Sequence, residues 1–262
     1  MAYETVILER KENIGVIALN RPKQRNALNH QLAGELLAAL SEMDKDPKVY
    51  VMVLTSTQAK AFCAGGDLAE HLRCGKDILK QREAWGMAAR LWLGIASLKK
   101  TVIAAVEGYA LAGGCALVAG CDLAVAGETA VFGLPEINVG IWPMAAAPPL
   151  LRCIGLKKFM EFAATGERFS AQEAYRLGLL NQVVPAGQAE QAAMVLARKL
   201  AEKSQTVLCF SKEILKRQLD LPYEQAVILG RDAVSMLAVT DDALEGMAAF
   251  VEKRKPVWGK NA

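Results

Sequence analysis

TVIAAVEGYALAGGCALVAGCDLAVAG, residues 101–127, is the stretch from which the fold follows. TVIAAV (101–106) is a continuous apolar run of strand length, Gly113–Ala119 is a helix opened by a glycine pair, and DLAVAG is the next buried strand. At the head of that helix the missing Cβ atoms let main-chain N–H groups approach a ligand oxygen.

Outward from it the same alternation holds. VYVMVLTS (49–56) reads as a buried strand, Asp67–Leu72 as a short helix after a second glycine turn, CAGGD at 63–67, and Arg82–Leu98 as a longer helix. Upstream, TVILERKENIGVIALNRP (5–22) reads as two strands joined by a turn at Lys11–Gly15, and Leu32–Met43 as a helix. Buried strands alternating with helices across residues 46–140 predict an α/β core, in which ligands sit at strand ends near helix N-termini. Beyond residue 145 the periodicity is helical: Leu150–Ile154, Lys157–Ala164, Ala171–Leu177, Glu190–Lys203, Val207–Leu219, Tyr223–Ala238 and Asp241–Lys253, with one strand at NQVVP (181–185). These helices show no evident partner sheet, which predicts packing against a neighbouring subunit.

Composition removes several classes of function. With 262 residues, 53% hydrophobic and 23% charged, the chain is an ordinary globular protein rather than a disordered one. A formal charge of +3 is too slight to mark a nucleic-acid surface. The least polar region holds 14 uncharged residues between Glu107 and Asp122, about 21 Å as a helix against roughly 30 Å of hydrocarbon, so no membrane span is expected. Six cysteines at irregular spacings, and an opening MAYETVILERKE too charged for a secretory leader, predict free thiols in the cytoplasm. Only His30 and His71 could supply imidazole, and no HExxH or CxxC accompanies them, so no metal site is expected. His30, beside Asn29 at a helix start, reads as a surface or capping residue. GxSxG, GxGxxG and GxxxxGK[ST] are also absent.

Downstream of both glycine turns stands a single carboxylate, Glu136, in GLPEINVG (133–140). Leu134, Ile137, Ile141 and Trp142 enclose it in sequence, which predicts a raised pKa suited to both giving and taking a proton near neutral pH. Taken alone, each glycine pair reads as a tight turn. Two such turns with one acid nearby are the minimum equipment for chemistry through an enolate.

RPKQRNALN (21–29), AFCAGGDL (61–68), AAVEGYALAGGCALVAGCDLAVAG (104–127), FGLPEINVGIWP (132–143), FSAQEAYRLGLLNQVVP (169–185) and AFVEKRK (249–255) together resemble the crotonase family of enoyl-CoA hydratases and isomerases. The resemblance runs nearly end to end. It implies an α/β crotonase-like (ClpP/crotonase) spiral of repeated ββα units over residues 1–195, and a C-terminal helical region, 196–262, that assembles trimers or hexamers. It implies an acyl-CoA thioester ligand, coenzyme A being part of the substrate and no separate cofactor being needed. The carbonyl oxygen would be received by the N–H groups of Gly66 and Gly113, with Glu136 moving the α-proton. Arg25 and Ala27 would lie near the CoA phosphates and pantetheine, Ala64, Gly66, Asp67 and Leu68 around adenine and thioester, and Lys253 at a phosphate.

One departure bears on the reaction. Hydratases of the family usually carry a second glutamate where this chain has Ala116, so water lacks its usual base. A single acid is the pattern of the family's 3,2-enoyl-CoA isomerases; the aspartate that dienoyl isomerases need near Met144 is missing. A hydratase with water held by Glu136 and a backbone N–H, and a catalytically weak CoA-binding protein, are the alternatives. Glu70 and His71 read as a solvated helix face and, alternatively, as substitute acid or base. Glu107, at a strand end, receives no role. Trp142, Met144 and AAAPPLL (145–151) replace a glycine-rich segment, which predicts a reshaped acyl pocket. One branch of the family binds RNA through a lysine-rich helix, but the lysines here are scattered, so nucleic acid is not an expected partner.

Overall fold

The computed structural model describes residues 3–259. It opens with the expected hairpin, β1 (Val6–Lys11) antiparallel to β2 (Ile14–Leu19), turned at Glu12 with φ 58°. Helix α1 (His30–Lys45) follows, its N-terminus capped by Asn29, whose side chain accepts the Leu32 N–H at 2.9 Å.

Three ββα units come next. The first is β3 (Val51–Ser56), β4 (Ala61–Cys63) and the helices α2 (Leu68–Cys74) and α3 (Ile78–Ser97). The second is β5 (Thr101–Val106), β6 (Tyr109–Leu111) and α4 (Gly113–Gly120). The third is β7 (Leu123–Gly127), β8 (Val131–Gly133), a 3-10 turn at Pro135–Val139 and α5 (Ala147–Thr165). In every unit the first strand joins one sheet and the second strand joins another, so the chain winds as a spiral between them.

The larger sheet has six strands in the order β1-β2-β3-β5-β7-β10, parallel from β2 onward, β10 being Gln182–Val184. The smaller has four, β4-β6-β8-β9, with β9 at Arg168–Ser170 antiparallel to β8. Side chains alternate across the larger sheet. Met52, Leu54, Val102 and Ala104 face the main core with α1, α3 and α4, while Val51, Val53, Ile103 and Ala105 face the opposite side.

That opposite side is covered by α7 (Ala189–Ala201), which follows α6 (Ala171–Arg176) and β10 and inserts Ala193, Met194 and Ala197 among the sheet residues. The expectation that the late helices lack a partner sheet is thus corrected for α7. The boundary drawn at 195/196 falls inside this helix. Glu107, given no role from the sequence, accepts the Ala189 N–H at 3.0 Å and fixes the start of α7. Helices α8 (Gln205–Gln218), α9 (Tyr223–Leu237) and α10 (Asp241–Val251) complete the fold. Lys212 on α8 ties them to the core, donating to Asp122 at 2.5 Å and to the Lys100 carbonyl at 2.6 Å.

The helix expected from Arg82 begins four residues earlier, because Asp77 caps it by accepting the Leu79 and Lys80 N–H groups. The two segments expected at 150–164 form α5, broken at Gly155, whose φ of 72° no helix interior tolerates. Among the described residues no helix is long and apolar enough to cross a membrane.

Candidate active site

The smaller sheet aligns the site. Strands β4, β6 and β8 lie side by side and parallel, and each ends where a candidate segment begins: Cys63 before AGGD, Leu111 before AGG, Gly133 before LPEI. Gly66, Gly113 and Glu136 therefore meet at one sheet edge, although 70 residues separate the first from the last.

Glycine is required here for close approach. A Cβ on Gly114 would stand 2.3 Å from the Cys63 carbonyl oxygen, and one on Gly65, at φ +103°, 2.6 Å from the Ala112 Cβ. The two turns interlock because each puts a glycine where it meets the other. Ala112 itself sits at φ 52°, ψ −121°, a conformation that alanine adopts only under constraint. Among the described residues nothing accepts a hydrogen bond from the Gly66 or Gly113 N–H. Gly113 is the first residue of α4, so the positive end of that helix adds to its N–H.

The loop at 21–29 holds the first turn in place. Leu28 N–H donates to the Gly65 carbonyl at 2.7 Å, and Asp67 N–H donates to the Leu28 carbonyl at 2.9 Å. The loop in turn depends on Asn26, fully buried at φ 55°. Its amide donates to Ser56 Oγ at 2.8 Å and the Phe62 carbonyl at 2.9 Å, while its oxygen accepts the Arg21 N–H at 2.7 Å.

A cavity of about 650 Å³ opens between α2, α3, α4 and the segment 135–146. Gly66, Gly113 and Glu136 all line it. Burial pushes the Glu136 carboxyl up to about 7, and its Oε2 is buried without a hydrogen-bond partner. Among the described residues only two other buried side-chain polar atoms lack partners, His71 Nδ1 and Trp92 Nε1, and both belong to residues that line the same cavity. Buried polar atoms are normally satisfied, so three residues with an unpaired buried atom around one cavity mark it as the candidate site. No group of three or more His, Cys, Asp or Glu that could hold a metal ion occurs among the described residues.

The other expected site residues divide. Ala64 and Leu68 line the cavity. Arg25 is exposed beside it and gives its carbonyl to the Ala64 N–H at 3.0 Å; the Ala27 carbonyl accepts from Arg21. Asp67 does not line the cavity and is paired with Arg21 at 3.1 Å, and Lys253, exposed beyond α10, does not line it either. Ala116 is fully buried in α4 among core side chains, away from the cavity wall. Trp142 and Met144 line the cavity.

Glu70 and His71 are not a solvated face. Glu70 lines the cavity and accepts the His30 N–H at 2.9 Å, while His71 is half-buried and stacked on Trp85 at 3.8 Å between ring centroids. Burial lowers the His71 pKa, so its ring is neutral at pH 7. Sequence reading missed Asn26, Arg21, Trp85 and Trp92. The tryptophans stand seven residues apart, two helical turns, on the face of α3 that includes the cavity-lining Ala88.

Two sheets joined by ββα units, with the working segments at the ends of the smaller one, define the crotonase fold. The profile described as Enoyl-CoA hydratase/isomerase matches residues 9–261. A probable enoyl-CoA hydratase of Rhizobium meliloti is 40% identical, over 97% of this chain and 98% of its own. Another probable enoyl-CoA hydratase, from Mycobacterium bovis, is 38% identical over 98% of each. The crystal structure of an enoyl-CoA hydratase subunit from Geobacillus kaustophilus superposes with a TM-score of 0.91 at 37% identity, over 98% of both chains. The chain belongs to the enoyl-CoA hydratase/isomerase family, the crotonases.

Proposed function

We propose that the protein binds an enoyl-CoA thioester with its carbonyl oxygen between the Gly66 and Gly113 N–H groups, and that Glu136 alone carries the proton. The reaction supported best is movement of the double bond between the 3 and 2 positions. Glu136 lifts a proton from the α-carbon, the two amides hold the dienolate oxygen, and the same carboxyl returns the proton two carbons along. One such amide is typically worth about 3–4 kcal/mol of barrier, because the charge develops where a fixed donor already waits. The observation that carries the reading is Glu136, which lines the cavity with one carboxylate oxygen buried and unpaired and its carboxyl poised near neutrality. Ala116, closed into the core, leaves no second acid at its position.

Hydration is the second reading, favoured by the relatives described as enoyl-CoA hydratases and by the neutral His71 in the cavity lining, which would offer water a polar neighbour. The purified protein incubated with a 3-enoyl-CoA should generate a conjugated thioester, read by its ultraviolet absorbance. If only crotonyl-CoA is consumed and the 3-enoyl-CoA is inert, hydration replaces isomerisation. Binding of CoA thioesters without any turnover would instead leave a catalytically weak CoA-binding protein.

For the rest of the ligand, Arg25 is available to CoA phosphates, and Ala64 and Leu68 to the thioester end. Asp67 serves by holding Arg21, and Lys253 serves only if CoA reaches the end of α10. The ligand itself is taken to bring coenzyme A, with no further cofactor. A homotrimer or homohexamer is proposed on the exposed apolar residues of α9 and α10, and a cytoplasmic location on the six free cysteines.

A further inference from the structure

The double-bond shift, carried by Glu136 and two amides, leaves His71 without a task, although it stands beside the first glycine turn. Among the described residues, the only atom beyond the chain neighbours within 4 Å of where a Gly66 Cβ would stand is His71 Nε2, at 3.7 Å. A residue's own N and Cβ lie roughly 2.5 Å apart, so Nε2 and the Gly66 nitrogen are separated by at most about 6 Å, two hydrogen-bond lengths. One oxygen can therefore accept from both.

The ring is held in place before any ligand arrives. It is stacked on Trp85 of α3 with the ring planes 11° apart, and Gln81 of the same helix donates to the His71 carbonyl at 3.1 Å. Its two nitrogens are not equivalent. Nδ1 is buried without a partner, whereas Nε2, also unpaired among the described residues, is not buried, and the residue lines the cavity. Burial outweighs the carboxylates of Glu70 and Asp67 and keeps the ring neutral, so it carries a single N–H. A hydrogen on Nδ1 would strand a buried donor. On Nε2 it leaves only a lone pair on the buried side and turns the donor to the cavity, the less costly arrangement.

We infer that His71 is a further catalytic residue, whose Nε2–H donates to the thioester oxygen alongside the Gly66 N–H. The inference rests on Gly66 and Gly113 receiving that oxygen, as proposed above. Negative charge grows on the oxygen as the α-proton leaves, so a fixed third donor strengthens most in the transition state.

The first test is kinetic, with a 3-enoyl-CoA as substrate. His71→Phe keeps a flat ring for Trp85 and loses the donor; kcat should fall about 100-fold while KM moves about threefold or less. His71→Gln, whose amide can reach the place of Nε2, should recover about tenfold over the Phe variant. The second test is nitrogen-15 NMR at pH 8, where only two histidines, His30 and His71, give imidazole signals. The free enzyme should show the His71 hydrogen on Nε2, and butyryl-CoA, which has no double bond to move, should shift that nitrogen and leave His30 in place. A Phe variant with wild-type kcat, a Gln variant no faster than the Phe one, a hydrogen on Nδ1, or an Nε2 indifferent to bound butyryl-CoA would overturn the inference while leaving the proposed function standing. A rise in KM with kcat unchanged would make His71 a binding contact only, and a loss confined to hydration of crotonyl-CoA would assign Nε2 to water; either overturns it. Failure to bind butyryl-CoA and to turn over any enoyl-CoA would overturn both readings together. If His71→Phe does not fold, the NMR of the wild type decides alone.

Discussion

On the proposed reading, Glu136 is disadvantageous to the fold and useful to the reaction. Its carboxyl holds a proton up to about 7, whereas the unfolded chain releases it near the ordinary 4.5. Stability from the protonated form is therefore complete below about pH 4.5 and is lost as pH rises toward 7. Glu136→Gln should abolish turnover, yet gain about 1–3 kcal/mol in denaturant unfolding at pH 8, with little gain at pH 4. A variant that keeps full rate would remove Glu136 from the chemistry. For isomerisation, which begins with the carboxylate as base, kcat/KM of the wild type should climb about tenfold per unit below pH 7 and level off above it. Asn26 is the opposite case, a residue that touches no substrate and holds the loop at 21–29. Asn26→Ala, which leaves the Arg21 N–H without its acceptor and takes a donor from the buried Phe62 carbonyl, should cost about 2–4 kcal/mol in the same unfolding assay. Glu136 was legible from its apolar flanks. Asn26 was not, because the acceptors of its amide lie 30 and 36 residues away and nothing local announces them.

At the scale of elements, the three-residue strands β4, β6 and β8 do the aligning, and they are the part of the fold that the sequence reading passed over. AFC, YAL and VFG are too short to show a period of two, and each leads straight into a glycine or proline turn that reads more strongly than the strand does. The long buried strands and helices were legible because burial on both faces leaves unbroken apolar runs. What the short strands achieve can be probed at Gly114, where α4 crosses β4. Gly114→Ala has helix propensity in its favour by roughly 1 kcal/mol, but its methyl would overlap the Cys63 carbonyl, a backbone atom that cannot rotate away. The clash should win, lowering stability by about 1–3 kcal/mol and lowering kcat more than KM rises, since displacing α4 moves the amide that is proposed to act on developing charge. An alanine variant as stable and active as wild type would mean that the two glycine turns are not in contact.

The whole molecule carries one further consequence of its sequence. With α7 spent on the larger sheet, α9, α10 and the turn between them still present Tyr223, Val239, Phe250 and Val251 at 75–87% exposure, large apolar side chains left to water in a single chain. The region is not loose: Lys212 fixes α8 to Asp122, and Ser204, the cap of α8, donates to Asp242 of α10 at 2.5 Å. A rigid apolar face of this kind is suited to burial against copies of itself. Sedimentation equilibrium should therefore give three or six chain masses, and Phe250→Asp should shift the population toward one. Phe250 is 86% exposed in the single chain, so its replacement removes little from the fold itself, and far-ultraviolet circular dichroism should stay unchanged. At an interface the same change forfeits about 1.5–3 kcal/mol of apolar burial and places a charge there, weakening association by at least about 100-fold. A wild-type chain that sediments as a monomer at micromolar concentration would sink the expectation, and the exposed face would then need another partner.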